Sequence, residues 1–163
     1  MKVLQIKLFF LLFLLQPTNS QFTENCYCSY YPDYVSFCYM DWISHIKIDN
    51  RSVIENANIS NRTPEGMDIV KYYVQHLNVL KKSKTYANLT LPNVIITSVD
   101  FNECGLSWLK EGEEYILSGL VMPSKEALFI TYCDGLRFNG NINDVYGKIK
   151  LWNEIIPCPE CSQ

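Results

Sequence analysis

Histidine is nearly missing from this chain, with two copies in 163 residues, and that scarcity removes most zinc-enzyme chemistry at once. Neither His45 nor His76 stands in a His-Glu-x-x-His context, and both read as ordinary residues of strand-like runs. A Gly-x-Ser-x-Gly nucleophile elbow is lacking, and so is a Gly-rich loop that could cradle phosphate. Glu111, Glu113 and Glu114 cluster, but a charge run after Lys110 and before a strand reads as a solvated turn, not a cleft with paired carboxylates. There is no excess of positive charge either: 14 Lys and Arg stand against 17 Asp and Glu, a net −3. Without Lys2 and Lys7 this becomes −5, so nucleic acid is not an expected partner. After the run Leu8 to Leu15, itself too short to cross a bilayer, no second long apolar run follows, so no membrane span is expected.

What is present begins with an export signal. Lys2 and Lys7 precede the apolar run, and Gln16, Pro17 and a polar stretch ending at Ser20 follow it. Thr18 and Ser20 are small enough for a cut after Ser20. Residues 1–20 are then a signal peptide, 21–25 a short N-terminal extension and 26–163 one domain, with a mature chain of about 143 residues starting at Gln21. A cut after Asn25 would place a poor residue at the junction. Export places the protein outside the cell, in the extracellular space or matrix, where cysteines pair. Four Asn-x-Ser/Thr sequons, at Asn50, Asn58, Asn61 and Asn88, fit that route as glycosylation sites.

The seven cysteines fall at 26, 28, 38, 104, 133, 158 and 161, with none in the long middle. Joining the early three to later ones would close long loops and staple the N-terminal segment across the domain. An odd count leaves one thiol over or pairs it with another molecule, and spacing alone does not choose the partners. Cys158-x-x-Cys161 could suggest redox chemistry or half a zinc site. A redox pair, however, wants a helix N-terminus directly behind it, and here the helix comes before the pair. Structural disulfides are the better reading.

Trp42 to Ile48, Val94 to Val99, Tyr115 to Val121 and Leu128 to Cys133 are rich in β-branched and aromatic residues and read as strands. Ile69 to Leu80 fits a helix template through Ile69, Tyr72, Tyr73, His76, Leu77 and Leu80, but its Val, Ile and Tyr content favours a strand. Asp49 to Gly66, with three sequons and Pro64, reads as an exposed loop between the first two strands. Near the end, Ile142, Val145, Tyr146, Ile149, Trp152 and Ile156 recur at helical spacing, with Asn141 or Asn143 able to cap the start and Pro157 to stop it. Five strands and an amphipathic terminal helix suggest a mainly β, OB-type barrel.

The ordered set Cys26-Tyr27-Cys28, Cys38, Cys104-Gly105, Cys133 and Cys158 with Cys161 resembles the tissue inhibitors of metalloproteinases. Local words agree: Phe37-Cys38 followed by Asp41 and Trp42 to Ile48, Glu114-Tyr115-Ile116-Leu117-Ser118-Gly119, and Leu128-Phe129-Ile130-Thr131-Tyr132-Cys133. Cysteine gaps of 2, 10, 29 and 25 residues match that family's netrin-like N-terminal domain. The resemblance implies a five-stranded OB-like barrel with bonds from Cys26 to Cys104, Cys28 to Cys133 and Cys38 to Cys158. Cys161 is then free or paired between molecules, as in a dimer, because its family partner lies in a second domain that this sequence does not include.

The function implied is that of an enzyme inhibitor, not an enzyme, with no cofactor of its own and secreted zinc metalloproteinases as partners. Cys26 would chelate the catalytic zinc of the target, Tyr27 would enter the pocket beside it, and Cys28 and Ser29 would continue along the cleft. Phe101, Asn102 and Glu103 would form a second contact segment. Three features depart from the family pattern, one of them the interval of 66 residues from Cys38 to Cys104, longer than is expected of the family. With cleavage after Ser20, Gln21 to Asn25 precede Cys26 and turn its nitrogen into an amide; Tyr27 is also larger than is usual there. The alternative is therefore a non-inhibitory netrin-like module binding the extracellular matrix or a cell-surface protein.

Overall fold

The computed structural model describes residues 26, 28, 32–57, 67–133 and 141–158. Their elements run α1 (Asp33–Tyr39), β1 (Trp42–Ala57), β2 (Met67–Lys82), β3 (Val94–Ser98), β4 (Glu114–Met122), β5 (Ala127–Phe129) and α2 (Ile142–Ile155). The strands close into a barrel in the order β1-β2-β3-β5-β4. All neighbours are antiparallel except β3 and β5, which run parallel. Three disulfides and the terminal helix complete the OB-like arrangement.

Period-2 patterning builds the inside. On β2, Val70, Tyr72 and Val74 are buried while Tyr73, Gln75, Leu77 and Val79 face out, so the alternation and not the helix-like spacing describes this segment. On β1, bulges at Ile43/Ser44 and His45/Ile46 shift the phase. Trp42, Ile46 and Ile48 consequently enter the barrel core with Tyr72, Ile95 and Leu128, while Ile43 joins a second cluster with Phe37, Met40, Val145 and Ile149. That second cluster is the seam between the barrel and a layer of two helices. Closure is tight at Gly119, where a Cβ would lie 2.1 Å from the Phe129 carbonyl oxygen.

Asp41 knits the seam: its carboxylate accepts from the Val121 backbone N–H at 3.0 Å and from the Ser83 hydroxyl at 3.3 Å. Lys81, on β2, donates to the carbonyls of Phe37, Cys38 and Met40 and lies 4.7 Å from the Phe37 ring centroid. It thereby satisfies carbonyls at the C-terminal end of α1 that no helical N–H reaches. α2 is capped by the Asn141 side chain, which accepts from the Asn143 N–H at 2.9 Å, and it ends before Pro157.

Three sequence readings need correction. Asp49 to Ala57 is strand, not loop: the chain bulges between Ile48 and Asn50 and continues pairing, with Arg51 opposite Tyr72 and Val53 opposite Val70. Polar residues are tolerated there because no residue from Asp49 to Glu55 is buried, Arg51 and Ser52 being half-buried and the others exposed. Residues 58–66, with Asn58 and Asn61, lie outside the described residues. The last strand is Ala127–Phe129 only; Ile130 still donates to the Ile96 carbonyl at 3.1 Å, and the chain then turns at Thr131, whose hydroxyl accepts from the Cys133 N–H. Helix α1 was not anticipated at all.

Candidate functional site: a doubly stapled edge of the barrel

Parallel neighbours leave a sheet in the same direction, so β3 and β5 send their following segments to the same end of the barrel. Cys104 comes six residues after Ser98, Cys133 four after Phe129, and the Tyr132 N–H donates to the Cys104 carbonyl at 2.7 Å. Onto this joined pair are fastened Cys26, bonded to Cys104, and Cys28, bonded to Cys133. All four sulfurs lie within 4.8 Å of one another, with 3.2 Å between those of Cys104 and Cys133 and 3.5 Å between those of Cys26 and Cys133. Sulfur that could otherwise ligate a metal is committed to disulfides here. The third bond, Cys38 to Cys158, ties α1 to the end of α2.

The segment leading into Cys104 is fixed by short polar contacts. Ser98 Oγ donates to Glu103 Oε2 at 2.7 Å and accepts from the Asp100 N–H at 3.0 Å. The Asp100 carboxylate accepts from the Asn102 N–H at 2.8 Å, and the Asp100 carbonyl accepts from Glu103 and Gly105. Phe101–Glu103 forms one 3-10 turn, after which Cys104 turns left-handed at φ 59°. Gly105 is required sterically, since a Cβ there would come within 2.1 Å of the Ser98 carbonyl oxygen. Phe101, Asn102 and Glu103 stay exposed beside the stapled cysteines, and the Phe101 ring tilts against Tyr132 at 5.4 Å.

Cys26, Cys28, Phe101, Asn102 and Glu103 are thus brought to one edge by two disulfides. Tyr27 and Ser29 lie outside the described residues, as do residues 1–25 and Cys161. The β1–β2 hairpin borders the same edge: β4 pairs with β1 only along Trp42 to Lys47, so the far half of β1 runs on with β2 alone. Where β2 begins, the Asp68 carbonyl accepts from the Val99 N–H at 3.0 Å. Sequence reasoning missed Ser98, Gly105 and Tyr132 as parts of this edge. Only Gly105, directly after a cysteine, carried a local signal.

The histidines and the acidic run have other employment. His76 lies between the Ser44 hydroxyl at 2.9 Å and the Pro92 carbonyl at 3.0 Å. His45 bridges the Tyr146 hydroxyl at 2.8 Å and the Glu114 carboxylate at 3.0 Å, linking β1, β4 and α2. Glu111 accepts from the Arg51 N–H at 2.8 Å, and the turn at Gly112 binds back to Ile48. The Tyr72 hydroxyl donates to the Leu106 carbonyl at 2.8 Å; burial raises its pKa, with Arg51 working against the shift.

Fold and edge together define a class, a netrin-like barrel that presents a rigid cysteine-stapled rim. The chain belongs to the tissue inhibitor of metalloproteinase family, which matches residues 24–144, and that is a family of enzyme inhibitors, not of enzymes. It is similar to a Caenorhabditis elegans protein named "Putative metalloproteinase inhibitor tag-225", at 32% identity over 133 residues, 82% of this chain and 81% of that one. No helix among the described residues is long and apolar enough to cross a membrane.

Proposed function

We propose that this protein is a secreted inhibitor of zinc metalloproteinases that blocks the target's catalytic zinc with the Cys26-Tyr27-Cys28 edge. The observation that carries this reading is the double staple. Cys26 and Cys28 are bonded to Cys104 and Cys133, and the exposed segment Phe101–Glu103 stands beside them. An edge ordered in advance loses little conformational entropy when a protease cleft closes on it. As the first residue, Cys26 would offer zinc its α-amino nitrogen and its carbonyl oxygen. An α-amino group ordinarily titrates at about 7.7–8.0, so it gives up its proton to a metal readily at neutral pH. The zinc belongs to the target, and the inhibitor brings no cofactor. Tyr27 would fill the pocket beside the zinc, Cys28 and Ser29 would lie along the cleft, and Phe101, Asn102 and Glu103 would form the second contact. Glycans on Asn50, Asn58, Asn61 and Asn88 belong to the same secreted, extracellular reading.

A second reading rests on one specific feature, the residues Gln21 to Asn25 before Cys26. If they remain, the Cys26 nitrogen is an amide with a delocalised lone pair and cannot chelate in this way. The protein would then act as a netrin-like binding module for matrix or cell-surface proteins. N-terminal sequencing and intact mass of the deglycosylated protein secreted from its native cells separate the two. A chain beginning at Cys26 should inhibit members of a metalloproteinase panel, and the same chain with Gln21 to Asn25 retained should lose at least about a hundredfold in affinity, or about 2.7 kcal/mol. Equal inhibition by both forms would refute zinc chelation by Cys26, and a native terminus at Gln21 with no inhibition would favour the binding module.

A further inference from the structure

The two disulfides of the stapled edge lie closer to each other than cross-linking requires. Cys133 Sγ is 3.2 Å from Cys104 Sγ and 3.5 Å from Cys26 Sγ, and Cys26 Sγ is 3.9 Å from Cys28 Sγ, although none of these pairs is bonded. Atoms poised for a reaction within one molecule stand about 3–3.5 Å apart. All four cysteines are half-buried and none is buried, so a small thiol can reach them. The bond from Cys38 to Cys158 supplies a contrast. Its cysteines are half-buried too, but among the described residues no second disulfide stands beside them.

The barrel brings Cys104 and Cys133 together by contacts that depend on neither bond. β3 and β5 run parallel and send both cysteines to the same end, the Tyr132 N–H donates to the Cys104 carbonyl at 2.7 Å, and the Cys133 N–H donates to the Thr131 hydroxyl at 3.2 Å. The Cys104 backbone is left-handed at φ 59°, a conformation that a residue with a Cβ adopts at a cost, so the contacts of Ser98 and Asp100 before it hold it there. Cys26 and Cys28, two residues apart, stay near each other whatever releases them from the barrel. The folded protein thus already places a second pairing of the same four sulfurs within reach.

We propose that the two edge disulfides form an exchange switch, in which a low-molecular-weight thiol such as glutathione converts Cys26–Cys104 and Cys28–Cys133 into Cys104–Cys133 and Cys26–Cys28. The thiolate of the small molecule attacks Cys28 Sγ, forms a mixed disulfide there and expels Cys133 as a thiolate. Cys133 Sγ attacks Cys104 Sγ, 3.2 Å away, and expels Cys26 as a thiolate. Cys26 Sγ, which starts 3.9 Å from Cys28 Sγ, then attacks the mixed disulfide and returns the small thiolate. Three bonds break and three form, and nothing is oxidised or reduced overall. The barrel keeps a cross-link between the segments leaving β3 and β5, while the Cys26–Cys28 bond is local and no longer ties this edge to it. Loss of inhibition on exchange rests on the inhibitory reading of the edge, whereas the exchange itself does not.

The test uses the wild-type secreted chain, so no variant has to fold. It is held in millimolar reduced glutathione at about pH 8, quenched with acid at intervals, blocked at free thiols and mapped as non-reduced peptides. A peptide joining Cys104 to Cys133 should appear together with a Cys26–Cys28 peptide, as the two native edge pairs disappear. Cys38–Cys158 should be lost at least about tenfold more slowly. Native edge pairs that persist, cysteines that end only as free or glutathione-capped thiols, or a pairing of Cys26 with Cys133 and Cys28 with Cys104 overturns the proposal. Loss of Cys38–Cys158 at the same rate also overturns it, because the exchange would then be general scrambling of an unfolded chain. Inhibition by the same samples, made from a chain beginning at Cys26, should weaken at least about tenfold in step with the Cys104–Cys133 peptide. Exchanged protein that inhibits at full strength refutes the edge as the inhibitory surface, a result the peptide map keeps distinct from failure of the exchange.

Discussion

The stapled edge and the helix layer are held in place by opposite means. In the layer, one disulfide sits among Phe37, Met40, Ile43, Val145 and Ile149, all at most 6% exposed, with Trp152 packed at the seam. At the edge, two disulfides and a set of short hydrogen bonds around Ser98 and Asp100 hold residues that stay in water. A surface that must meet a partner cannot be made rigid by burying it, so cross-links and local polar contacts replace packing there. The layer is free to use apolar area on its inner face, and its cross-link is then one support among several.

The largest expected effect comes from cutting each kind of staple. The chain-entropy model gives about 4.7 kcal/mol for the Cys28–Cys133 bond and about 4.9 kcal/mol for Cys38–Cys158, their separations being 105 and 120 residues. Loss of stability alone therefore should not distinguish Cys28→Ala/Cys133→Ala from Cys38→Ala/Cys158→Ala in urea unfolding. Inhibition should. Measured where both variants remain folded, the edge variant is expected to lose a hundredfold or more of its affinity, because position 28 loses its tie to the barrel and Cys26 keeps only its bond to Cys104. The layer variant should lose less than tenfold, because the Phe37 cluster persists. Equal losses would mean that the whole barrel, and not the edge, carries the rigidity.

The same contrast sets what the sequence made readable. Cysteine order carried the three pairings through family resemblance, and β-branched and aromatic content carried β2 and β4, because both signals are strong and local. Helix α1 was hidden, since Phe37 is its only buried residue and no apolar period could form in seven positions. What completes it is Lys81, more than 40 residues away in sequence. The far half of β1 was hidden because Asp49 and Asn50 look like a loop and are in fact a bulge within a continuing strand. At the edge the cysteines were legible and their supports were not: Ser98 and Tyr132 act through contacts that only the closed barrel creates.

A smaller effect should follow from removing one of those supports. Ser98 is 6% exposed, and its hydroxyl joins Glu103 to the Asp100 backbone. Ser98→Ala would leave Glu103 Oε2 to water and the Asp100 N–H without that acceptor, at a cost of about 1–2 kcal/mol. Stability should fall by that amount in denaturant titration. Inhibition should weaken by about three- to tenfold, since the turn carrying Phe101 to Glu103 loosens while both disulfides remain. A stability loss with unchanged inhibition would assign all of the edge's rigidity to the covalent bonds.

The smallest effect concerns Lys81, a cation drawn into the helix seam. Burial pushes the Lys81 ammonium down to about 8 from its ordinary 10.5, with the Asp41 carboxylate working against the shift. The folded form therefore releases this proton before the unfolded chain does. Between about pH 8 and pH 10.5 the unfolded state binds more protons at this site, so Lys81 contributes increasing relative stability as the pH rises through that window and a penalty below it. Other lysines and tyrosines titrate in the same range, so the readout is a difference between wild type and Lys81→Met, a replacement of similar length. The stability of wild type relative to Lys81→Met should increase from pH 7.5 to pH 10 in parallel urea titrations. A relative stability that falls instead would mean that the carbonyls of Phe37, Cys38 and Met40, which accept from this ammonium, hold its charge better than water does. The seam would then share the edge's strategy, with polar contacts and not apolar burial fixing the end of α1.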